Sequence, residues 1–137
     1  ACLDPEIYYF DEEMAVDAVR RCSMFNIIDM ASSWKADSIV PKETRHSRAE
    51  FPRRVAVSFD GMQLWCASAE DTVIGKLRWA KEAGSARQSE DAAGIVTLRG
   101  SDLDIGYIRG WVGELELSAQ WDEVLMQSRV RGASEDP

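Results

Sequence analysis

Three residues have the type and placement for chemistry: Asp37, Lys76 and Asp91. Asp37 stands at the centre of Trp34-Lys35-Ala36-Asp37-Ser38-Ile39-Val40, which reads as a short buried strand. Side chains alternate along a strand, so Lys35, Asp37 and Ile39 share one face and Trp34, Ala36, Ser38 and Val40 the other. A carboxylate in an otherwise apolar strand costs free energy unless a metal, a cation or hydrogen bonds compensate it. A metal-binding acid is the sharper reading, and an edge-strand acid facing water is the plainer one. Lys76 and Asp91 fall in helical patterns. Each has a plain alternative role: Lys76 lying along an apolar stripe, Asp91 complementing a helix dipole.

Other site chemistries find little support. There is neither a GxxxxGK nor a GxGxxG phosphate loop, and no GxSxG elbow. The one histidine, His46, lies in a polar basic stretch and reads as a surface residue, a poor member for a Ser-His-Asp triad. Cys2, Cys22 and Cys66 are odd in number, widely spaced and without a CxxC pair. That pattern argues against a zinc site and a disulfide framework, and predicts free thiols in a reducing, cytoplasmic setting.

The 137 residues carry a net charge of −8, with 45% hydrophobic and 29% charged residues. Those proportions suit a globular domain. The acidity argues against generic nucleic-acid binding, which needs a basic footprint, while leaving room for a local cationic pocket that takes a nucleotide. No apolar run reaches the roughly 20 residues of a membrane span, so no membrane partner is expected. Ala1-Cys2-Leu3-Asp4-Pro5 shows neither a basic n-region nor an apolar h-region.

The elements follow from spacing. Asp11 caps a helix with Ala15, Ala18, Val19 and Cys22 on one face, and Arg20 and Arg21 suit its C-terminal end. Met24–Met30 and Trp34–Val40 form a hairpin across Ala31-Ser32-Ser33. The stretch from Pro41 to Arg54 has five Lys or Arg among fourteen residues and reads as a loop with one helical turn. Val55–Phe59 and Met62–Cys66 flank Asp60-Gly61, the strongest hairpin signal in the chain, and are expected to extend the sheet.

Helices then take over. Ser68 opens one that runs to Ala83 and stops at Gly84, with Val73, Ile74, Leu77 and Ala80 inside. Ser89 is expected to cap the next, Asp102 another, and Ser118 the last. The prediction is a single α+β domain over residues 1–132: a sheet-forming part to residue 67, then a helical part. The sheet is mixed or antiparallel, of about four or five strands, with helices on one side. Residues 133–137 are expected to form a tail.

The segments Phe25–Ile28, Lys35–Val40, Ser68–Trp79 and Ser89–Asp91 resemble bacterial nucleotidyltransferase-fold proteins of unassigned role, distant relatives of abortive-infection type nucleotidyltransferase toxins. The resemblance covers roughly residues 4–127. Its most specific parts are Lys35-x-Asp37-x-Ile39-Val40 and the Ser68 helix start leading to Lys76-Leu77-x-Trp79, then Ser89-x-Asp91. It implies that Asp37 is the family's third metal-binding carboxylate and that Lys76 and Asp91 bind the nucleotide. It also implies Mg²⁺ as cofactor, an NTP as donor and an acceptor not identified by the motif. In that chemistry metals bind the triphosphate and activate the attacking oxygen, and Lys76 neutralises phosphate charge. No G-S followed by D-x-D stands upstream of Asp37, so the resemblance puts those elements before Ala1 and predicts a chain catalytically incomplete as given. The alternative expectation is a noncatalytic interaction module, part of a toxin–antitoxin-like pair or a homo-oligomer, anchored by Trp79, Trp111 and Trp121.

Overall fold

A computed structural model describes residues 3–134, with side chains to residue 129. The expected tail therefore lies outside the described residues over 135–137, while residues 133 and 134 continue the last helix. The class is α+β: six helices and two small antiparallel sheets among the described residues, with a helical C-terminal half. Two compact units divide the chain, one running to Arg48 and the other starting at Ala49.

The first unit is a three-stranded sheet with one helix. Its strands are β1 (Tyr8–Tyr9), β2 (Met24–Asp29) and β3 (Lys35–Ile39), in the order β1-β2-β3. Helix α1 (Glu12–Arg21) packs on β2. Asp11 caps α1 as expected, its carboxylate accepting the Met14 N–H at 2.9 Å. Arg21 turns back to Asp17 at 2.9 Å. In the β2–β3 connection Asp29 accepts the N–H groups of Ala31 and Ser32, which hold its carboxyl below the usual range.

The strand expected to be buried is not. β3 is the outer strand of its sheet, and four of its five residues, Asp37 among them, are exposed. Trp34, just before it, is 79% exposed. Alternation along the strand is retained, but at an edge neither face is sealed.

The basic stretch is more ordered than a loop. Thr44 acts as an N-cap, its Oγ1 accepting the Ser47 N–H at 3.1 Å, and α2 (Arg45–Glu50) forms behind it. A 3-10 turn (Phe51–Arg53) follows, with Pro52 near its start. Once the segment is helical, one face must turn inward. His46, expected at the surface, is 1% exposed.

The second hairpin does not extend the first sheet. Strands β4 (Val55–Phe59) and β5 (Met62–Cys66) form a sheet of their own. Asp60 and Gly61 both take positive φ, 47° and 75°, the backbone of a tight type I′ turn. Register pairs Val55 with Cys66, Val57 with Leu64 and Phe59 with Met62, which puts these six side chains on one apolar face. Ala56 pairs with Trp65 and Ser58 with Gln63 on the other. All ten strand residues are exposed.

Four helices carry the core of this unit: α3 (Ala69–Ala83), α4 (Ala86–Arg99), α5 (Ile105–Glu114) and α6 (Ser118–Ser134). Val73, Ile74 and Leu77 of α3 are fully buried, against Ala92 and Ala93 of α4, Ile108 of α5 and Val124 of α6. Burial of each larger aliphatic contributes about 1.5 to 3 kcal/mol. Ser68 caps α3, and Gly84 ends it with φ +60°.

Two helix starts differ from expectation. α4 begins at Ala86, because Ala86-Arg87-Gln88 continue readily into helix once Gly84 has turned the chain. Ser89 is therefore inside α4, buried, with its hydroxyl directed at Glu123 Oε2 (3.3 Å). Asp102 ends a 3-10 turn, and Asp104 caps α5, accepting the Tyr107 N–H at 2.8 Å.

Candidate functional site

Lys76 and Asp91 come together. Lys76 sits on α3 beside the buried stripe and Asp91 on α4, and their Nζ–Oδ2 distance is 2.9 Å. Gln88, one helical turn before Asp91, accepts a second bond from Lys76 Nζ at 3.2 Å. The side chain of Lys76 is 24% exposed, so its aliphatic stem is held while its tip reaches water. An ammonium has three N–H donors. Asp91 and Gln88 take two of them, leaving one for an incoming acceptor. The geometry is that of a lysine fixed in place with one donor to spare, suited to a phosphate oxygen.

Asp37 belongs to the first unit. Its neighbour on the same face of β3, Lys35, lies 3.3 Å away, and both side chains are about half exposed. A metal needs a converging set of ligands. Among the described residues no group of three or more His, Cys, Asp or Glu is placed to hold one. Asp37 offers one carboxylate with a lysine already beside it. These residues alone do not fit Mg²⁺, and no step through a metal is derived from them.

A second polar cluster went unread in the sequence. Asp71 has a fully buried side chain. It accepts bonds from the Ser68 hydroxyl at 2.7 Å, the Tyr107 hydroxyl at 2.7 Å and Arg53 Nε at 3.2 Å. The Arg53 guanidinium also lies 3.6 Å from Glu70 and stacks 3.8 Å from the centroid of the Tyr107 ring. Burial pushes the Tyr107 hydroxyl up, and the bond and charge of Asp71 push it further, to about 12. For Glu70 burial is outweighed by backbone N–H bonds, the Ser68 hydroxyl and Arg53, so its carboxyl sits below the usual range. The Ser68–Asp71 half of this cluster was legible as a capping pattern. Arg53 and Tyr107 lie 18 and 36 residues from Asp71, and no local spacing announces them.

Glu50 stands at the margin of this cluster. Burial raises its pKa, the negative charge of Asp71 raises it further, and Arg78 offsets part of the effect. A carboxyl raised in the folded state favours folding most when protonated. That contribution is present below the unfolded-state pKa and is lost as pH rises through the folded one. Glu50→Gln is therefore expected to be more stable than the parent chain at pH 7, with the gain fading as pH falls through the raised pKa and gone once pH is below about 4.5. Urea unfolding of both proteins at pH 7 and pH 4 checks this, and a pH-independent difference would refute it.

The three tryptophans expected as anchors separate. Trp79 is 49% exposed, Trp111 is partly buried and packs edge-on to Tyr107 at 6.3 Å, and Trp121 is buried in the core. Among the described residues no helix is long and apolar enough to cross a membrane.

The chain matches no known protein family, no curated protein and no solved structure.

Proposed function

We propose that this chain is a nucleotidyltransferase-like domain that binds an NTP at the Lys76–Gln88–Asp91 cluster. The observation that carries the reading is the state of Lys76: bonded to Asp91 and Gln88, part-buried, with one donor left over. Asp91 holds the ammonium in place at 2.9 Å, and the ammonium takes a phosphate oxygen of the nucleotide. The transfer of a nucleotidyl group to an acceptor follows from the family resemblance, with Asp37 as the carboxylate on the sheet.

Thermal unfolding with and without NTP and Mg²⁺ tests this reading. A ligand that binds only the folded state raises stability by RT ln(1 + [L]/Kd), about 2.7 kcal/mol at a hundredfold excess over Kd. The expected result is an upward shift in Tm with NTP that Lys76→Ala reduces. No shift under any of these conditions refutes the nucleotide site.

A second reading is an interaction module. It is favoured by the apolar face of the β4–β5 hairpin, where Phe59 is 65% exposed and Met62 55%. No NTP shift, together with a stable complex with another protein or a second copy, would favour it.

A further inference from the structure

Arg53 and Arg54 are neighbours with opposite circumstances. Arg53 is neutralised by Asp71 and Glu70. Arg54 has no carboxylate within salt-bridge distance among the described residues. Its guanidinium instead lies 3.5 Å from the centroid of Phe51 and 5.7 Å from that of Trp65. Both rings are open to solvent, Phe51 at 56% and Trp65 at 68%. A guanidinium has five N–H donors along its edges, and stacking on ring faces leaves those edges available.

The hairpin continues this surface. Trp65 lies on the face that also carries Ala56, Ser58 and Gln63, and strand alternation puts Arg54 at the border of the same face. Ala56, opposite Trp65, leaves the indole unshadowed. Ser58 and Gln63 are exposed and supply donors and acceptors within a strand's length of the ring. The face therefore combines an open aromatic plane, two neutral polar side chains and one cation without a counter-ion. A sheet face of this composition suits a nucleobase, which stacks on the ring while the cation meets the adjoining phosphate.

We propose that Phe51, Arg54 and Trp65, with Ser58 and Gln63, form a binding platform for a phosphorylated nucleoside, either a free nucleotide or the end of a single strand. The base stacks on Trp65, the base edge meets Ser58 or Gln63, and the phosphate meets Arg54. The overall charge of −8 opposes a long nonspecific footprint but not one stacked base beside one cation. The platform is independent of the Lys76 site and does not rest on the transfer reading.

The test is fluorescence anisotropy at low salt with a labelled, 5′-phosphorylated adenine hexanucleotide, and with unlabelled AMP as competitor. Trp65→Ala is expected to weaken binding about tenfold or more, and Trp65→Phe to retain most of it. Arg54→Gln is expected to weaken it about fivefold and to lower the salt slope by about one. Lys76→Ala is expected to leave it unchanged, which separates the two sites. Equal affinity for AMP and the hexanucleotide assigns the platform to free nucleotide, and tighter binding of the hexanucleotide assigns it to a strand end. Failure of both probes to bind overturns the proposal. So does an affinity that survives Trp65→Ala and Arg54→Gln, or one that Lys76→Ala abolishes. The side chains of Trp65 and Arg54 are exposed, so these variants keep the fold.

Discussion

Asp71→Ala is expected to lower the unfolding free energy by about 2 to 4 kcal/mol, measured by urea denaturation followed through tryptophan emission. The carboxylate is fully buried and accepts bonds from Ser68, Tyr107 and Arg53. Its removal strands three donors at once. The loss stays below the upper range for buried ion pairs because the Arg53 side chain is 36% exposed and can turn to water or to Glu70. Tyr107→Phe alone should cost less, since only one bond is lost. The double variant should fall short of the sum of the two single losses, because the pair shares that bond. The variant also carries a spectroscopic signature. Without Asp71 the Tyr107 hydroxyl should ionise closer to its ordinary value near 10 instead of about 12, visible as tyrosinate absorbance on alkaline titration. A loss under 1 kcal/mol with an unmoved titration would show that the cluster does not hold α3 and α5 together.

Trp121 gives the second large effect, and it splits by substitution. The residue is 4% exposed in the helical core, so Trp121→Ala should cost about 3 to 5 kcal/mol through lost burial and the cavity left behind. Its indole Nε1 is buried without a hydrogen-bond partner among the described residues. A buried donor without an acceptor already carries a desolvation penalty. Trp121→Phe removes that donor while keeping most of the ring, so its net cost should be small, under about 1.5 kcal/mol. Equal losses for the two variants would mean that the indole N–H finds an acceptor after all.

The helical half was legible because its signals are local. Ser68, Gly84 and the spacing of Val73, Ile74, Leu77 and Ala80 specify α3 without reference to the rest of the chain. Asp60-Gly61 specified the second hairpin in the same way. The errors came where one plausible cap competed with another. Ser89 and Asp102 are good caps by type, but Ser85 and Asp104 stand at the actual boundaries, set by where Gly84 and the Gly100–Asp102 turn redirect the backbone. What lies beyond a strand's own pairing was not legible at all. Alternation gave the faces of Lys35–Ile39 correctly and its burial wrongly, since burial depends on what covers a strand. The same limit hid the Arg53–Asp71–Tyr107 cluster. Lys76 and Asp91 were named in the sequence as separate residues, and only the packing of α3 on α4 made them a pair.

The β4–β5 hairpin also sets a kinetic hierarchy. A two-stranded ribbon exposed on both faces has few burial contacts to lose on opening, whereas α3 is walled in by three helices. Amide hydrogens of Val73 to Leu77 should thus exchange with solvent only on global unfolding, and those of Val55 to Cys66 through local opening that leaves the helices intact. The surface with the most open chemistry is then also the part that samples other shapes most cheaply. A ligand gripping that ribbon would announce itself as slowed exchange confined to two strands, with no change in the core.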